Sequence, residues 1–148
     1  MSDDALFALY AWIATVLVGL LLLIIWLMEY DRDFQSAAAT RLPVPVISTH
    51  ALLGLGGLGV WGLYLVTGAD ALTLPAVVDL GVVALLGLIM AARWIQVLRA
   101  YPAADSSPTR MVAVPPERHF PRPVIVIHGV CAAATIVLVL FAAFFSGS

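Results

Sequence analysis

The sequence predicts an all-α fold, an integral membrane four-helix bundle built from two parallel helical-hairpin repeats with both termini outside. Three observations predict it: an extreme apolar composition, four apolar runs of membrane-crossing length, and a short motif that opens two of those runs. Of the 148 residues 63% are hydrophobic and only 11% charged, with a mean hydropathy of +1.07. A soluble domain is about half apolar and about a quarter charged. So few charges cannot cover a soluble globule of this size, and disorder needs the opposite composition. The formal net charge of −2 gives no reason to expect a nucleic-acid partner. All basic residues are Arg, and Cys131 is the only cysteine, so an intrachain disulfide is excluded.

A helix crosses roughly 30 Å of hydrocarbon with about 20 apolar residues. The runs fall at 6–28, 46–66, 76–92 and 124–145, and the whole chain reads as one four-span domain. The first is not expected to be a signal peptide: Ser2, Asp3 and Asp4 precede it in place of a basic region, the run is too long, and no small-x-small cleavage site follows. The second begins after Pro43 and Pro45, the third after Pro75, the fourth after Pro121 and Pro123. Proline is tolerated in the first turn of a helix and costly in its interior, so each marks a start. No run alternates apolar with polar residues, which excludes a β-barrel.

The arginines set the expected direction. Arg32 and Arg41 lie between the first two runs, and Arg93, Arg99, Arg110, Arg118 and Arg122 at or between the facing ends of the last two. The positive-inside rule assigns that side to the cytoplasm of a bacterial plasma membrane, leaving both termini and the short 67–74 connection outside. Tyr10, Trp12, Trp26, Tyr30, Tyr64 and Trp94 lie towards the run ends, where interfacial anchors are expected. The cytoplasmic loop at 96–121 is too short to be a domain.

The most informative feature is a repeat. Pro43, Pro45, Val46, Ile47 and His50 match Pro121, Pro123, Val124, Ile125 and His128, both segments reading P-x-P-V-I-x-x-H. Runs 1–2 and 3–4 therefore read as two copies of one hairpin in the same orientation, with an axis along the membrane normal. The motif does not extend convincingly into runs one and three. Each His lies roughly 6 Å into its span, so both imidazoles are expected at one depth in the cytoplasmic half. Spans two and four are diagonal in an up-down bundle, roughly 11–14 Å apart. That separation suits two rings that share something held between them. Each His stands on a stripe of small residues, His50–Gly54–Gly57–Trp61 on one span and His128–Ala132–Thr135–Val139 on the other. Small residues admit a neighbouring helix or leave a slot for a flat ligand.

Ionisable residues inside a span point to function, yet each His can equally serve structure by bonding a neighbouring carbonyl. The sharpest functional reading is a single b-type haem with His50 and His128 as axial ligands. A bis-imidazole site suits electron transfer because no coordination position stays open. In this architecture and these two residues the chain resembles the small four-helix membrane cytochromes b. Those often carry two haems on four ligands, whereas two intramembrane histidines limit this chain to one. The resemblance implies electron transfer near the cytoplasmic face, with quinone as a partner. Gly54, Gly57 and Ala132 would line the slot, and Arg93 and Arg99 could pair with propionates, although plain positive-inside anchoring also accounts for them.

Other readings stand beside it. Copper or zinc could bind His50 and His128 with Cys131, although no fourth ligand is evident. In a different class, the chain is a non-enzymatic accessory subunit whose Gly-rich second span packs against another membrane protein or a second copy. His119 reads as a solvated loop residue and Asp79 as interfacial. Gly54, Gly56 and Gly59 spell G-x-G-x-x-G, but a dinucleotide site needs a preceding strand, so these glycines are packing surface.

Overall fold

The computed structural model describes residues 3–32, 39–101 and 114–145. They form four long helices, α1 (Asp3–Arg32), α2 (Val44–Thr67), α3 (Thr73–Ala100) and α4 (Arg122–Phe144), with 3-10 turns at Asp70–Leu72 and Pro116–His119. There is no strand among the described residues.

The two P-x-P segments start α2 and α4 in the same way. Pro43 (φ −61°, ψ 126°) and Pro121 (φ −65°, ψ 119°) are extended N-caps. The Pro43 carbonyl accepts from the N–H groups of Val46 and Ile47 (2.9 and 3.2 Å), and that of Pro121 from Val124 and Ile125 (3.0 and 3.3 Å). Pro45 and Pro123 sit in the first turn, where a missing N–H costs nothing. α2 stops at Gly68, whose left-handed φ of 65° lets its N–H close on the Tyr64 carbonyl at 2.8 Å.

α3 runs beyond the apolar stretch that announces it, continuing from Ala92 to Ala100. Periodicity explains the extension. Val97 is buried and Trp94 and Leu98 are half-buried on the inner face, while Arg93, Gln96 and Arg99 stay exposed on the outer one.

α1 packs against α4 and α2, and α3 against α2 and α4, with no approach across either diagonal. The helices thus form a four-membered ring with α2 opposite α4. Two packed layers close its ends. At the end carrying the α2–α3 connection, Ala8, Trp12, Trp61, Ala76 and Val139 form the larger cluster. At the other, Trp26, Leu42 and Ile47 pack with Met90 and Phe120.

Two aromatic residues expected at the membrane interface lie inside the bundle instead. Trp12 and Trp26 are 2% and 3% exposed, whereas Tyr10 is exposed. The indole N–H of Trp12 donates to the Gly54 carbonyl at 3.1 Å, as that of Trp61 donates to Ala5 at 3.1 Å. An indole so bonded crosslinks helices and needs no water.

Leu17, Leu52, Leu85, Val130 and Phe144 are exposed on the four helices. All four helices are long and apolar enough to cross a membrane, so the structure is compatible with a multi-pass membrane protein.

Candidate cofactor site

Between the two packed ends lies an almost wholly apolar cavity of about 400 Å³ walled by all four helices. Small-molecule sites commonly span about 300–1,000 Å³. His50 enters it from α2 and His128 from α4. Although their helices are diagonal, the rings reach inward until their centroids are 6.3 Å apart, at an interplanar angle of 68°.

Each ring is held by the neighbour that does not share its hairpin. His50 Nδ1 lies 3.0 Å from the Val83 carbonyl on α3, and His128 Nδ1 lies 3.1 Å from the Thr15 carbonyl on α1. A carbonyl can only accept, so each Nδ1 is the protonated nitrogen. In the neutral imidazole Nε2 then keeps its lone pair. This is how protein metal sites orient and activate a histidine ligand.

A glycine one turn beyond each carbonyl makes room for the ring. A Cβ on Gly87 would lie 3.2 Å from His50 Cε1, and one on Gly19 would lie 2.9 Å from His128 Cε1. The pairs correspond. One sequence interval separates Thr15 from Val83, Gly19 from Gly87, the buried Ala8 from Ala76, and Trp26 from Trp94.

The 6.3 Å spacing has a chemical meaning. Two imidazoles on opposite sides of one metal, each bonded to it at about 2 Å, have ring centroids about 6 Å apart, and the observed separation is close to that value.

The other candidate residues divide. Gly54 and Ala132 line the cavity with the histidines, whereas Gly57 and Arg93 do not. Gly57 lies in the packed layer beyond it, where a Cβ would collide with Asp79 Oδ2 and come 2.7 Å from Trp12 Cζ2. Arg93 is exposed, its guanidinium 3.4 Å from the Arg41 carbonyl. Arg99 is exposed as well and Cys131 half-buried, and neither lines the cavity. Among the described residues no three His, Cys, Asp or Glu side chains gather as a metal cluster.

Asp79 is half-buried, its side chain turned towards α2. Its Oδ2 is buried against Gly57 and has no hydrogen-bond partner among the described residues. The close approach is possible because residue 57 has no side chain. His119 is exposed, as expected, with Nδ1 3.7 Å from Glu29 Oε2.

Several residues of the site are invisible to sequence reasoning. Thr15 and Val83 act through their backbone, and Gly19 and Gly87 through the side chain they lack. Glu117 is another. It is completely buried and accepts from Thr40 Oγ1 (3.0 Å) and the Arg41 N–H (2.5 Å). That bond ties the 3-10 turn to the start of α2 beside Leu42 and Phe120, which close one end of the cavity. The common interval that separates Ala8 from Ala76, Gly19 from Gly87 and Trp26 from Trp94 is the sequence signal that could have drawn attention to α1 and α3.

Compared with protein-family models, curated proteins and solved structures, the chain matches none.

Proposed function

We propose that the protein is a small membrane haem protein that holds one b-type haem between His50 and His128 and passes electrons near the cytoplasmic face. The observation that carries this reading is the opposed imidazole pair, 6.3 Å apart, each with Nδ1–H on a backbone carbonyl. When bound, a bis-imidazole haem supplies reversible one-electron chemistry with no open coordination position. The chain's own contribution is to fix both tautomers through Thr15 and Val83, to make room for the rings at Gly19 and Gly87, and to surround the site with apolar walls that exclude water.

The matching contacts support reading the two hairpins as copies in parallel orientation, each histidine docking on the first helix of the other copy. Arg41, Arg93, Arg99, Arg118 and Arg122 belong to the end bearing the starts of α2 and α4. The positive-inside rule makes that end cytoplasmic, with both termini outside a bacterial plasma membrane. Quinone or another membrane protein is the proposed electron partner.

The deciding experiment is a visible spectrum of detergent-purified protein from haem-replete cells. We expect reduced-minus-oxidised Soret and α bands that His50→Ala and His128→Ala each abolish. A colourless wild-type protein overturns the proposal.

A second reading rests on Gly56, Gly59 and Gly62, where an added Cβ would meet nothing within 4 Å. That open face of α2 suits close packing against a membrane partner or a second copy, with the histidines structural. Under this reading the protein co-purifies with a stoichiometric partner and Gly59→Leu releases it. A stable monomer unaffected by Gly59→Leu counts against it.

A further inference from the structure

Two of the four tryptophans have buried indole nitrogens without a partner among the described residues: Trp26 Nε1 and Trp94 Nε1. A buried N–H left unbonded is costly, so such a group asks what it donates to. The other two indoles, Trp12 and Trp61, are satisfied by backbone carbonyls. Trp26 is 97% buried, at 3% exposure, and both unpartnered residues line the histidine cavity.

Their positions correspond. Trp26 follows Gly19 on α1 by two helical turns, as Trp94 follows Gly87 on α3. Each therefore stands about 10 Å along the bundle from the imidazole level, towards the arginine-bearing end. Both side chains line the cavity from diagonal helices, their indole nitrogens enclosed, and the pairing that exchanges His50 with His128 also exchanges Trp26 with Trp94.

Resting on the haem reading above, we infer that Trp26 and Trp94 donate their indole N–H groups to the two propionate carboxylates of the bound haem, one each. The symmetry of the group matches that of the site. Haem b has an approximate two-fold axis in the plane of its ring, passing through the iron and exchanging the two propionates. A bundle axis that exchanges the histidine ligands has the same effect. The two indoles supply the donors on the cavity wall at this end, while Arg93 and Arg99 stay outside it. A hydrogen bond to a charged acceptor is stronger than one between neutral groups. The unpaired indoles of the protein chain are thereby satisfied.

The test uses the holoprotein and its Trp26→Phe, Trp94→Phe and double variants, with Trp61→Phe as the control outside the cavity. The expected result is an unchanged bis-imidazole visible spectrum in all of them. The propionate bending bands in resonance Raman shift in the Trp26 and Trp94 variants only, and haem loss to a scavenger accelerates roughly tenfold or more. Should a variant fail to accumulate, ultraviolet resonance Raman of the wild-type holoprotein reads the same contact, with all four indole N–H groups hydrogen-bonded. Propionate bands and haem loss unchanged from wild type, or two unbonded indoles in the holoprotein, overturn this inference and leave the haem reading standing. A wild-type protein without the bis-imidazole spectrum overturns both.

Discussion

Gly19 lies directly beneath the His128 ring, so that a Cβ there would sit 2.9 Å from His128 Cε1. Real side chains do not tolerate that approach, and the ring must give way. It cannot do so freely, because its Nδ1 is held by the Thr15 carbonyl one turn earlier on the same helix. Gly19→Ala is therefore expected to move the imidazole off its axis. Haem retained per protein, read as Soret absorbance, should fall in Gly19→Ala by more than in Gly87→Ala, where the added atom lies 3.2 Å from His50. Gly56→Ala, facing open space, should leave retention unchanged. Equal retention in Gly19→Ala and wild type would show that the ring has slack in that direction.

Glu117 provides a test of the fold that does not depend on any cofactor. Its carboxylate satisfies Thr40 and the Arg41 N–H inside a closed contact. Glu117→Ala removes the acceptor of the Arg41 N–H and leaves Thr40 Oγ1 only the Leu42 carbonyl at 3.3 Å, an expected loss of about 1–3 kcal/mol for the unsatisfied group. Glu117→Gln keeps one acceptor oxygen and should lose less. Thermal unfolding in detergent measures both, and limited proteolysis should cut the 101–121 segment faster in Glu117→Ala.

Gly57 and Asp79 should be energetically coupled. Gly57→Ala forces an atom into Asp79 Oδ2 and against Trp12, and overpacking of this kind costs about 1–3 kcal/mol. Asp79→Ala removes the nearer obstacle. The double variant should therefore be less destabilised than the sum of the single ones, with a coupling of about 0.5–3 kcal/mol. Strict additivity in chemical or thermal unfolding rejects the contact.

The proposed orientation is open to direct labelling. In a Cys131→Ser background, Thr67→Cys should react in intact cells with a thiol reagent that does not cross membranes. Arg99→Cys should react only after the membrane is permeabilised. The reverse pattern inverts the bundle and moves the histidines to the outer half.

How much of this was legible beforehand depends on the kind of residue. The prolines at 43, 45, 121 and 123 announced the starts of α2 and α4, because proline is confined to helix starts by its missing N–H. His50 and His128 were legible as a pair because an ionisable side chain is rare in so apolar a run. Trp26 was not legible as a cavity residue. An indole near the end of an apolar helix serves equally well as an interfacial anchor, and only the neighbours decide. The contact of Asp79 was not legible for a related reason: it exists only where Gly57 of another helix leaves space.

By itself, the sequence determined the number of long helices and the proline starts of α2 and α4, while α3 begins earlier and runs further than its apolar run, and it placed the two histidines at the same offset from those starts. Those properties follow from composition and from the fixed rise per residue. Only the tertiary structure decided which way the side chains face. On these helices apolar residues cover every side, and lipid is as apolar as the bundle interior, so periodicity cannot distinguish the two. The carbonyls of Thr15 and Val83, the gaps at Gly19 and Gly87, and the two unpaired indoles arise where helices meet. They turn a pair of histidines at equal depth into a pair that face each other.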